Sequence, residues 1–266
     1  MLNDNVKTKK KNRLKILLLI VLVIVVVLVI TCAVYIGKYY HANVNVEDYK
    51  AGYGIQESLE EPVVYQMGQD IGEGHMVDGL YVHNPENNFE NLVIFYPGAK
   101  VEYTAYLPLF YELAAQGVDS YIVKMPGNLA FFGVNKAEKI MEMYDYDSYY
   151  LAGHSLGGAM GASFASDHLD ALDGMIFLAS YPTKSLAAED FEVLSIYGSE
   201  DTVLNMEKVV EGRQYMPEAY TEICIEGGNH AQFGDYGFQK GDQPAFIERE
   251  EQQKQTVEAM LALIEE

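Results

Sequence analysis

Basic residues and cysteines are scarce in this chain of 266 residues. It has 18 Lys and Arg residues against 39 Asp and Glu residues, and six of the basic ones fall within the first 15 positions. The remainder therefore carries 12 basic and 38 acidic residues, a balance of −26 that repels phosphate backbones and argues against nucleic-acid binding. Cys32 and Cys224 are the only cysteines, which excludes a disulfide framework and a cysteine-based zinc site.

A long apolar run follows the basic N-terminus. From Ile16 to Ile36 the only non-apolar side chain is Thr31, and these 21 residues suffice for a helix to cross a hydrocarbon core of about 30 Å. A cleaved signal peptide is the alternative, but its apolar region is shorter and a small-residue cleavage site follows it. The basic residues before the run, against Lys38 alone just after it, predict a single-pass anchor in the cell membrane with a cytoplasmic N-terminus.

Composition divides the chain into four segments. We expect a basic cytoplasmic N-terminus over 1–15, a transmembrane helix over 16–36, an acidic tether over 37–61 and a folded domain over 62–266. Tyrosines just after the apolar run are expected at the outer membrane interface, namely Tyr35, Tyr39 and Tyr40. The folded domain then lies outside the cytoplasm.

Alternating strand and helix patterns fill the folded domain. Apolar, β-branched or aromatic runs predict eight strands, at Val63–Met67, Met76–His83, Leu92–Tyr96, Val118–Val123, Tyr149–Ala152, Met175–Ala179, Phe191–Tyr197 and Ala219–Ile225. Helical spacing predicts five helices, at Tyr103–Gln116, Ala130–Tyr144, Leu156–His168, Leu204–Glu211 and Ile247–Ile264. This order predicts an α/β fold with a mostly parallel sheet, helices on both faces and an antiparallel edge formed by the two early strands.

The segment Gly153-His154-Ser155-Leu156-Gly157 has the pattern G-x-S-x-G. The pattern is short, and a glycine-rich structural turn is its alternative interpretation. Here it directly follows a predicted strand and precedes a predicted helix, as in a turn that exposes a nucleophilic serine at the carboxyl end of a sheet. The context favours Ser155 as a nucleophile.

A serine nucleophile needs a base, and two histidines follow Ser155 in the chain. His168 lies about 20 Å along the predicted helix from the serine. His230 follows a predicted strand instead, at the sheet end where the serine is expected, and is the predicted base. The predicted acid is Asp201, in the loop after the strand Phe191–Tyr197, with Glu200 as the alternative.

Backbone amides are expected to stabilise the oxyanion that forms during acyl transfer. The helix after Ser155 directs the amide of Leu156 towards this position. The turn Pro97-Gly98-Ala99-Lys100 after an earlier strand supplies the second donor, Ala99 or, as the alternative, Lys100. An ordinary turn is the remaining interpretation of this segment.

These residues together resemble the α/β-hydrolase superfamily from about Pro62 to the C-terminus. The motifs that carry the resemblance to a small bacterial subgroup akin to dienelactone-hydrolase-like proteins are Phe95–Val101, Lys124-Met125-Pro126, Gly153–Gly158 and Gly228–Gly237. Dienelactone hydrolases proper have cysteine where this chain has Ser155, which favours ester or amide chemistry here. The resemblance implies the fold and the triad, but no defined substrate, metal or organic cofactor.

The sequence also bears on how a substrate reaches the site. Only Ser180–Asp190 separate two predicted strands where related folds insert a helical cap, so we expect an open site. Phe233 is a candidate wall. Lys100 and Lys124 end predicted strands at the ligand-binding edge and are candidate contacts for an anionic substrate, with pairing to neighbouring acids as the alternative.

The sequence thus predicts a membrane-anchored serine hydrolase that cleaves a small-molecule ester through an acyl-enzyme. Transfer of the acyl group to a cell-envelope acceptor is one alternative. A catalytically idle hydrolase fold that serves as a binding module is the other, and the presence of all three triad residue types in the expected order argues against it.

Overall fold

A computed structural model describes residues 2–50, 62–67, 77–85, 90–188 and 190–265. Its contacts divide the chain into two compact units, Met1–Tyr39 and Tyr40–Glu266. The first unit contains helix α1, Leu2–Ile36, and the stretch Leu17–Ile36 is long and apolar enough to cross a membrane. Its apolar side chains are exposed, in contrast to those of a core helix.

The second unit is built on one eight-stranded sheet. The strands are β1 Val63–Met67, β2 Gly79–His83, β3 Asn91–Tyr96, β4 Asp119–Val123, β5 Ser148–His154, β6 Gly174–Leu178, β7 Glu192–Gly198 and β8 Thr221–Ile225. They lie in the order β1-β2-β4-β3-β5-β6-β7-β8. The strands from β3 to β8 are parallel, whereas β2 runs antiparallel to β1 and β4. The predicted mostly parallel sheet with an antiparallel edge is confirmed.

Helices cover the sheet. They are α2 Val46–Lys50, α3 Leu107–Ala115, α4 Lys136–Met143, α5 Leu156–Ala165, α6 Met206–Gly212 and α7 Arg249–Ile264. Two buried clusters form the core on the two sides of the sheet, because alternate residues of each strand point to opposite faces. Phe95 and Phe110 lie in one cluster with ring centroids 4.6 Å apart, and Tyr96 lies in the other.

Two predicted helices begin differently from the expectation. Their first residues form 3₁₀ turns, Tyr103–Tyr106 before α3 and Ala130–Phe132 before α4. Pro108 at the start of α3 has no amide hydrogen, so it suits the first turn of a helix and marks where the α-helix begins. Met76, the predicted start of the second strand, lies outside the described residues.

Residues 40–50 contact the folded domain, although the sequence predicted a tether there. The amide of Tyr40 donates to the carbonyl of Lys100 at 2.6 Å, and the carbonyl of Tyr40 accepts from the amide of Glu102 at 2.9 Å. The Tyr40 ring lies 5.5 Å from that of Tyr236, where the prediction had it at a membrane interface. The polar residues of this segment show no strand pattern, so the sequence did not predict this short strand-like pairing. Residues 51–61 of the predicted tether lie outside the described ranges.

The connection between β6 and β7 contains no helix in its described residues. Its backbone is held to neighbouring parts of the domain, for example by the bond from the amide of Leu186 to the carbonyl of Tyr215 at 2.7 Å. Residue 189 of this connection is not described. The described part is therefore consistent with a sheet edge that carries no helical cap at this position.

The packing of the core yields a stability prediction. Phe110 is fully buried, whereas Phe246 is 80% exposed. Replacing Phe110 by alanine removes buried contacts and leaves a cavity, so we expect a loss of about 3–5 kcal/mol in the free energy of unfolding. Phe246→Ala is the matched control and should change it by less than about 0.5 kcal/mol. Chemical denaturation of the full chain measures both, and equal losses would contradict the core assignment.

Candidate active site

A strained turn separates β5 from α5. Ser155 is the single residue between the end of β5 at His154 and the start of α5 at Leu156. Its φ of 52° and ψ of −121° lie in a region that residues with side chains rarely adopt, at a cost of about 1–3 kcal/mol. Neighbouring groups hold the turn, because the Ser155 amide donates to Leu178 at 2.9 Å and the Ser155 carbonyl accepts from the Ser180 hydroxyl at 2.6 Å.

Gly157 allows α5 to approach the end of β3. A Cβ atom at this position would lie 2.5 Å from the carbonyl oxygen of Pro97 and closer still to that of Tyr96. Only a residue without a side chain permits this contact. The close approach brings the first turn of α5 next to the loop that begins at Pro97.

The structure joins the predicted acid and base. Nδ1 of His230 lies 2.8 Å from Oδ2 of Asp201, and the two side chains are only 2% and 1% exposed. The other carboxylate oxygen, Oδ1, accepts from the amides of Val203 at 2.9 Å and Leu204 at 2.8 Å. These bonds fix the carboxylate as an acceptor, so Nδ1 carries the proton and Nε2 of a neutral His230 keeps its lone pair.

Ser155 and His230 lie at the same carboxyl edge of the sheet. The ring of His154, the residue before Ser155, has its centroid 4.5 Å from that of His230. In the described part of the chain no hydrogen bond joins the Ser155 hydroxyl to His230. Catalytic hydrogen bonds are often longer before substrate binds, so this geometry is compatible with a nucleophile and its base.

Asp242 connects the loops that carry the acid and the base. Its Oδ2 accepts from the amide of Ala231 at 2.9 Å, and its Oδ1 accepts from the amide of Thr202 at 3.4 Å. Burial raises the pKa of Asp242, and the nearby charge of Asp201 adds to this effect. Asp242 thereby fixes the residues that flank His230 and Asp201.

The amides near Ser155 identify a candidate oxyanion site. Gly98 donates its amide hydrogen to the Tyr106 hydroxyl at 3.1 Å, and Lys100 donates its own to Asn128 at 2.7 Å. Between them, the amide of Ala99 has no partner within the described ranges, and the same holds for Leu156 at the start of α5. Of the two predicted second donors, Ala99 is therefore the available one and Lys100 is occupied.

A buried chain of polar groups supports this loop. The Tyr106 hydroxyl accepts from Gly98 and lies 2.8 Å from Nδ1 of His154, so its own hydrogen points to that nitrogen. A neutral His154 then carries its hydrogen on Nε2, which is buried and makes no hydrogen bond to described residues. His154 and Tyr106 thus lie between the Gly98 turn and His230.

The charge state of His154 follows from its position. Burial lowers its pKa well below the usual value, and the nearby His230 lowers it further, while a contact with the backbone of His230 acts weakly in the opposite direction. His154 is therefore neutral at the pH values where an exposed histidine begins to protonate. It adds no positive charge beside His230.

The remaining predicted site residues occupy different environments. Lys124 is exposed, with its ammonium 3.9 Å from a carboxylate oxygen of Asp78. Lys100 is half-buried with a φ of 60°. Phe233 is fully buried and lies 5.7 Å from the His154 ring, so it belongs to the core beneath the site rather than to an exposed wall.

His168, the alternative base, and Glu200, the alternative acid, contact other residues. The His168 ring stacks on that of Phe164 with centroids 3.9 Å apart, beyond the end of α5. Glu200 accepts a hydrogen bond from the Ser199 hydroxyl at 3.0 Å. Neither residue takes part in the contact between Asp201 and His230.

This arrangement of strand, turn and helix has counterparts among known proteins. The family model described as the alpha/beta hydrolase family matches residues 92–254, which is more than half of the chain. The chain belongs to this family. The match spans β3 to the first turns of α7 and includes Ser155, Asp201 and His230.

Solved structures with the same fold are distant in sequence. A predicted CIB-like hydrolase from Thermoplasma acidophilum has a TM-score of 0.58 at 16% identity, with 76% of this chain and 100% of that chain covered. A dienelactone hydrolase from Anabaena variabilis has a TM-score of 0.57 at 13% identity, covering 76% and 99%. Est1E from Butyrivibrio proteoclasticus has a TM-score of 0.56 at 16% identity, covering 76% and 100%. No curated protein matches the chain significantly.

Sequence reasoning missed three supporting residues of this alpha/beta hydrolase. His154 lies inside the G-x-S-x-G motif, so its position near His230, the predicted base, could have been predicted from the sequence. Tyr106 and Asp242 carry no motif, and only the folded chain brings them to Gly98 and Ala231. Contacts between residues far apart in sequence leave no local signal.

The close approach at Gly157 yields a matched pair of substitutions. Gly157→Ala forces a methyl group against two carbonyl oxygens, so we expect a loss of about 1–3 kcal/mol in the free energy of unfolding. Gly161→Ala, on the same helix, meets the flexible end of Met175 at 3.0 Å and makes an ordinary contact with the Leu151 side chain at 3.4 Å. Because alanine favours helix formation by about 1 kcal/mol over glycine, this control should be nearly neutral. Chemical denaturation measures both, and a neutral Gly157→Ala would contradict the geometry.

The neutral state of His154 predicts a pH dependence of stability. Below the unfolded-state pKa, the unfolded chain binds a proton at His154 and the folded chain does not, so stability falls as the pH falls. We expect the free energy of unfolding of the native chain, minus that of His154→Gln, to decrease between about pH 7.5 and about pH 5.5, by at most about 1.4 kcal/mol per pH unit. Denaturation at both pH values measures this difference. A constant difference would contradict a depressed pKa.

Proposed function

We propose that this chain is a membrane-anchored serine hydrolase that cleaves a carboxylic ester through an acyl-enzyme. The observation that carries the proposal is the buried contact of 2.8 Å between Asp201 and His230, at the same sheet edge as the strained Ser155. A serine hydroxyl becomes a nucleophile when a histidine beside it accepts its proton and a buried carboxylate orients that histidine.

Each residue has a defined step in this reaction. His230 Nε2 takes the proton of the Ser155 hydroxyl as the oxygen forms a bond to the substrate carbonyl carbon. The amides of Ala99 and Leu156 stabilise the negative oxygen of the tetrahedral intermediate. His230 returns the proton to the departing alcohol, the ester bond breaks, and the acyl group remains on Ser155. Water, deprotonated by His230, then attacks the acyl carbon. The bond from this carbon to the Ser155 oxygen breaks, His230 returns the proton to that oxygen, and the acid is released.

Asp201 acts on His230 in both halves of the reaction. Its Oδ2 accepts the Nδ1 hydrogen, which keeps Nε2 free to accept a proton and stabilises the imidazolium that forms. No step requires a metal or an organic cofactor. The open edge and the lysines near it, Lys100 and Lys124, are compatible with a small-molecule ester that carries a negative charge.

The location of the reaction follows from the first 36 residues. We propose that 16–36 is an uncleaved signal anchor, that 1–15 is cytoplasmic, and that the hydrolase domain lies outside the cytoplasm. The long apolar stretch Leu17–Ile36 and the basic residues before it support this orientation.

Covalent labelling tests the nucleophile directly. We expect a fluorophosphonate probe to label the full-length native chain and to fail with Ser155→Ala, because the probe reacts only with an activated serine hydroxyl. His230→Ala should slow labelling by more than a hundredfold, since it removes the base. Gel fluorescence and mass spectrometry of the labelled peptide measure both effects.

The control for this experiment is Ser166→Ala. The Ser166 hydroxyl donates to the carbonyl of Ser163 at 2.9 Å and has no place in the proposed mechanism, so labelling should be unchanged. A folded native chain that remains unlabelled would instead support a catalytically idle binding module. Product analysis with an alcohol acceptor present separates hydrolysis from acyl transfer.

A further inference from the structure

Two phenylalanines are exposed side by side near the candidate active site. Phe131 and Phe132 are 66% and 55% exposed, and their rings meet edge-on with centroids 5.5 Å apart. The turn that carries them is well anchored, because Ala130 is buried and the amide of Phe132 donates to Leu129 at 3.0 Å. Paired exposed aromatic rings on an ordered turn are typical of interaction surfaces.

Two lysines accompany these rings. Lys136 and Lys139 are three residues apart on α4 and share one face of the helix, and Glu142, three residues after Lys139, borders this face. Burial lowers the pKa of Lys136, the nearby charge of Asp78 acts in the opposite direction, and the charges of Lys124 and Lys139 lower it further. The lysines therefore lie close enough to repel one another. We call Phe131, Phe132, Lys136 and Lys139 the Phe–Lys patch.

The Phe–Lys patch borders an open cavity of about 670 Å³. The other lining residues that the structure describes are Val77, Asp78, Gly133, Val134 and Asn135, and Asp78 is the single acid among these described residues. The chain beyond residue 15 has only 12 basic residues against 38 acidic ones, so this grouping of cations is a local exception. The acidic remainder of the domain repels an anionic surface, and the Phe–Lys patch attracts one.

The patch lies at the edge of the sheet that carries the candidate active site. It follows β4, and its 3₁₀ turn packs against α5, the helix that begins after Ser155. The Tyr96 hydroxyl, at the end of β3, donates to the carbonyl of Val134 at 2.6 Å and accepts from the amide of Ala137 at 2.9 Å. The patch therefore begins at this edge of the sheet.

We propose that the Phe–Lys patch docks on an anionic phospholipid bilayer. The aromatic rings enter the interface and the ammonium groups contact the lipid phosphates, a combination typical of proteins that lie on membranes. Docking turns the carboxyl edge of the sheet towards the lipid, where the esters of membrane lipids are within reach. The docking itself does not depend on catalysis by Ser155, and its test measures no reaction.

The absence of tryptophan from the chain allows a clean experiment. The full chain carrying Phe132→Trp is reconstituted into vesicles of brominated phosphatidylcholine, with or without brominated phosphatidylglycerol. We expect strong quenching of the tryptophan in the anionic vesicles. The control is Val210→Trp, because Val210 is 54% exposed on α6 between Glu207 and Glu211, and it should be quenched severalfold less.

Charge reversal tests the role of the lysines. One lysine near an anionic membrane strengthens binding about fivefold, so Lys136→Glu with Lys139→Glu in the Phe132→Trp chain should weaken docking by more than tenfold. An unchanged unfolding temperature shows that the variants are folded. Flotation of the chain with vesicles of both compositions measures insertion of the apolar helix. Docking of the patch is measured separately, by the quenching.

Three outcomes would overturn the proposal. Quenching of Phe132→Trp no stronger than that of Val210→Trp places the patch away from lipid. If charge reversal leaves the quenching unchanged, the anionic headgroups do not contribute to docking. A tryptophan blue shift that depends on protein concentration in lipid-free detergent assigns the patch to contact between copies of this chain. Failure of fluorophosphonate labelling, in contrast, concerns Ser155 alone.

Discussion

The contact between the start of α5 and the end of β3 is the constraint on which the candidate site depends. Gly157 touches the carbonyls of Tyr96 and Pro97, so the helix begins directly beside the Gly98 turn. This contact brings the first turn of α5, with the amide of Leu156, next to the loop that carries Ala99. It also forces the chain to turn within a single residue, which accounts for the positive φ of Ser155. The strain at the serine and the candidate oxyanion site therefore have one geometric origin.

Buried polar contacts then fix the groups that this constraint brings together. Asp242 joins the loops of Asp201 and His230, and Ser180 holds the carbonyl of Ser155. Tyr106 and His154 connect the Gly98 turn to the neighbourhood of the base. Each of these groups exchanges a hydrogen bond to water for one inside the protein, so its contribution lies in positioning more than in net stability.

Much of the architecture could be predicted because it depends on local patterns. Runs of β-branched and aromatic residues such as Leu92–Tyr96 indicate strands wherever they occur, and their alternation with helical spacing predicts a parallel sheet. The contact between Asp201 and His230 was predictable because loops at the carboxyl ends of parallel strands meet at one edge. Tyr106 and Asp242 were not, since nothing in their neighbouring residues indicates the distant groups they contact. Phe233 lies in a glycine-rich loop, which suggested that its side chain would be exposed, but packing buries this side chain.

The short pairing of Tyr40 with Lys100 and Glu102 bears on how the domain can be separated from its helix. The family match begins at residue 92, and the regular strands begin at Val63, so both boundaries suggest a late starting point for a water-soluble version. Truncation at either boundary would remove Tyr40, and with it the hydrogen bonds that Tyr40 makes to the carbonyl of Lys100 and the amide of Glu102, next to Ala99. A water-soluble version that begins within residues 37–39 would retain the backbone that borders the candidate oxyanion site.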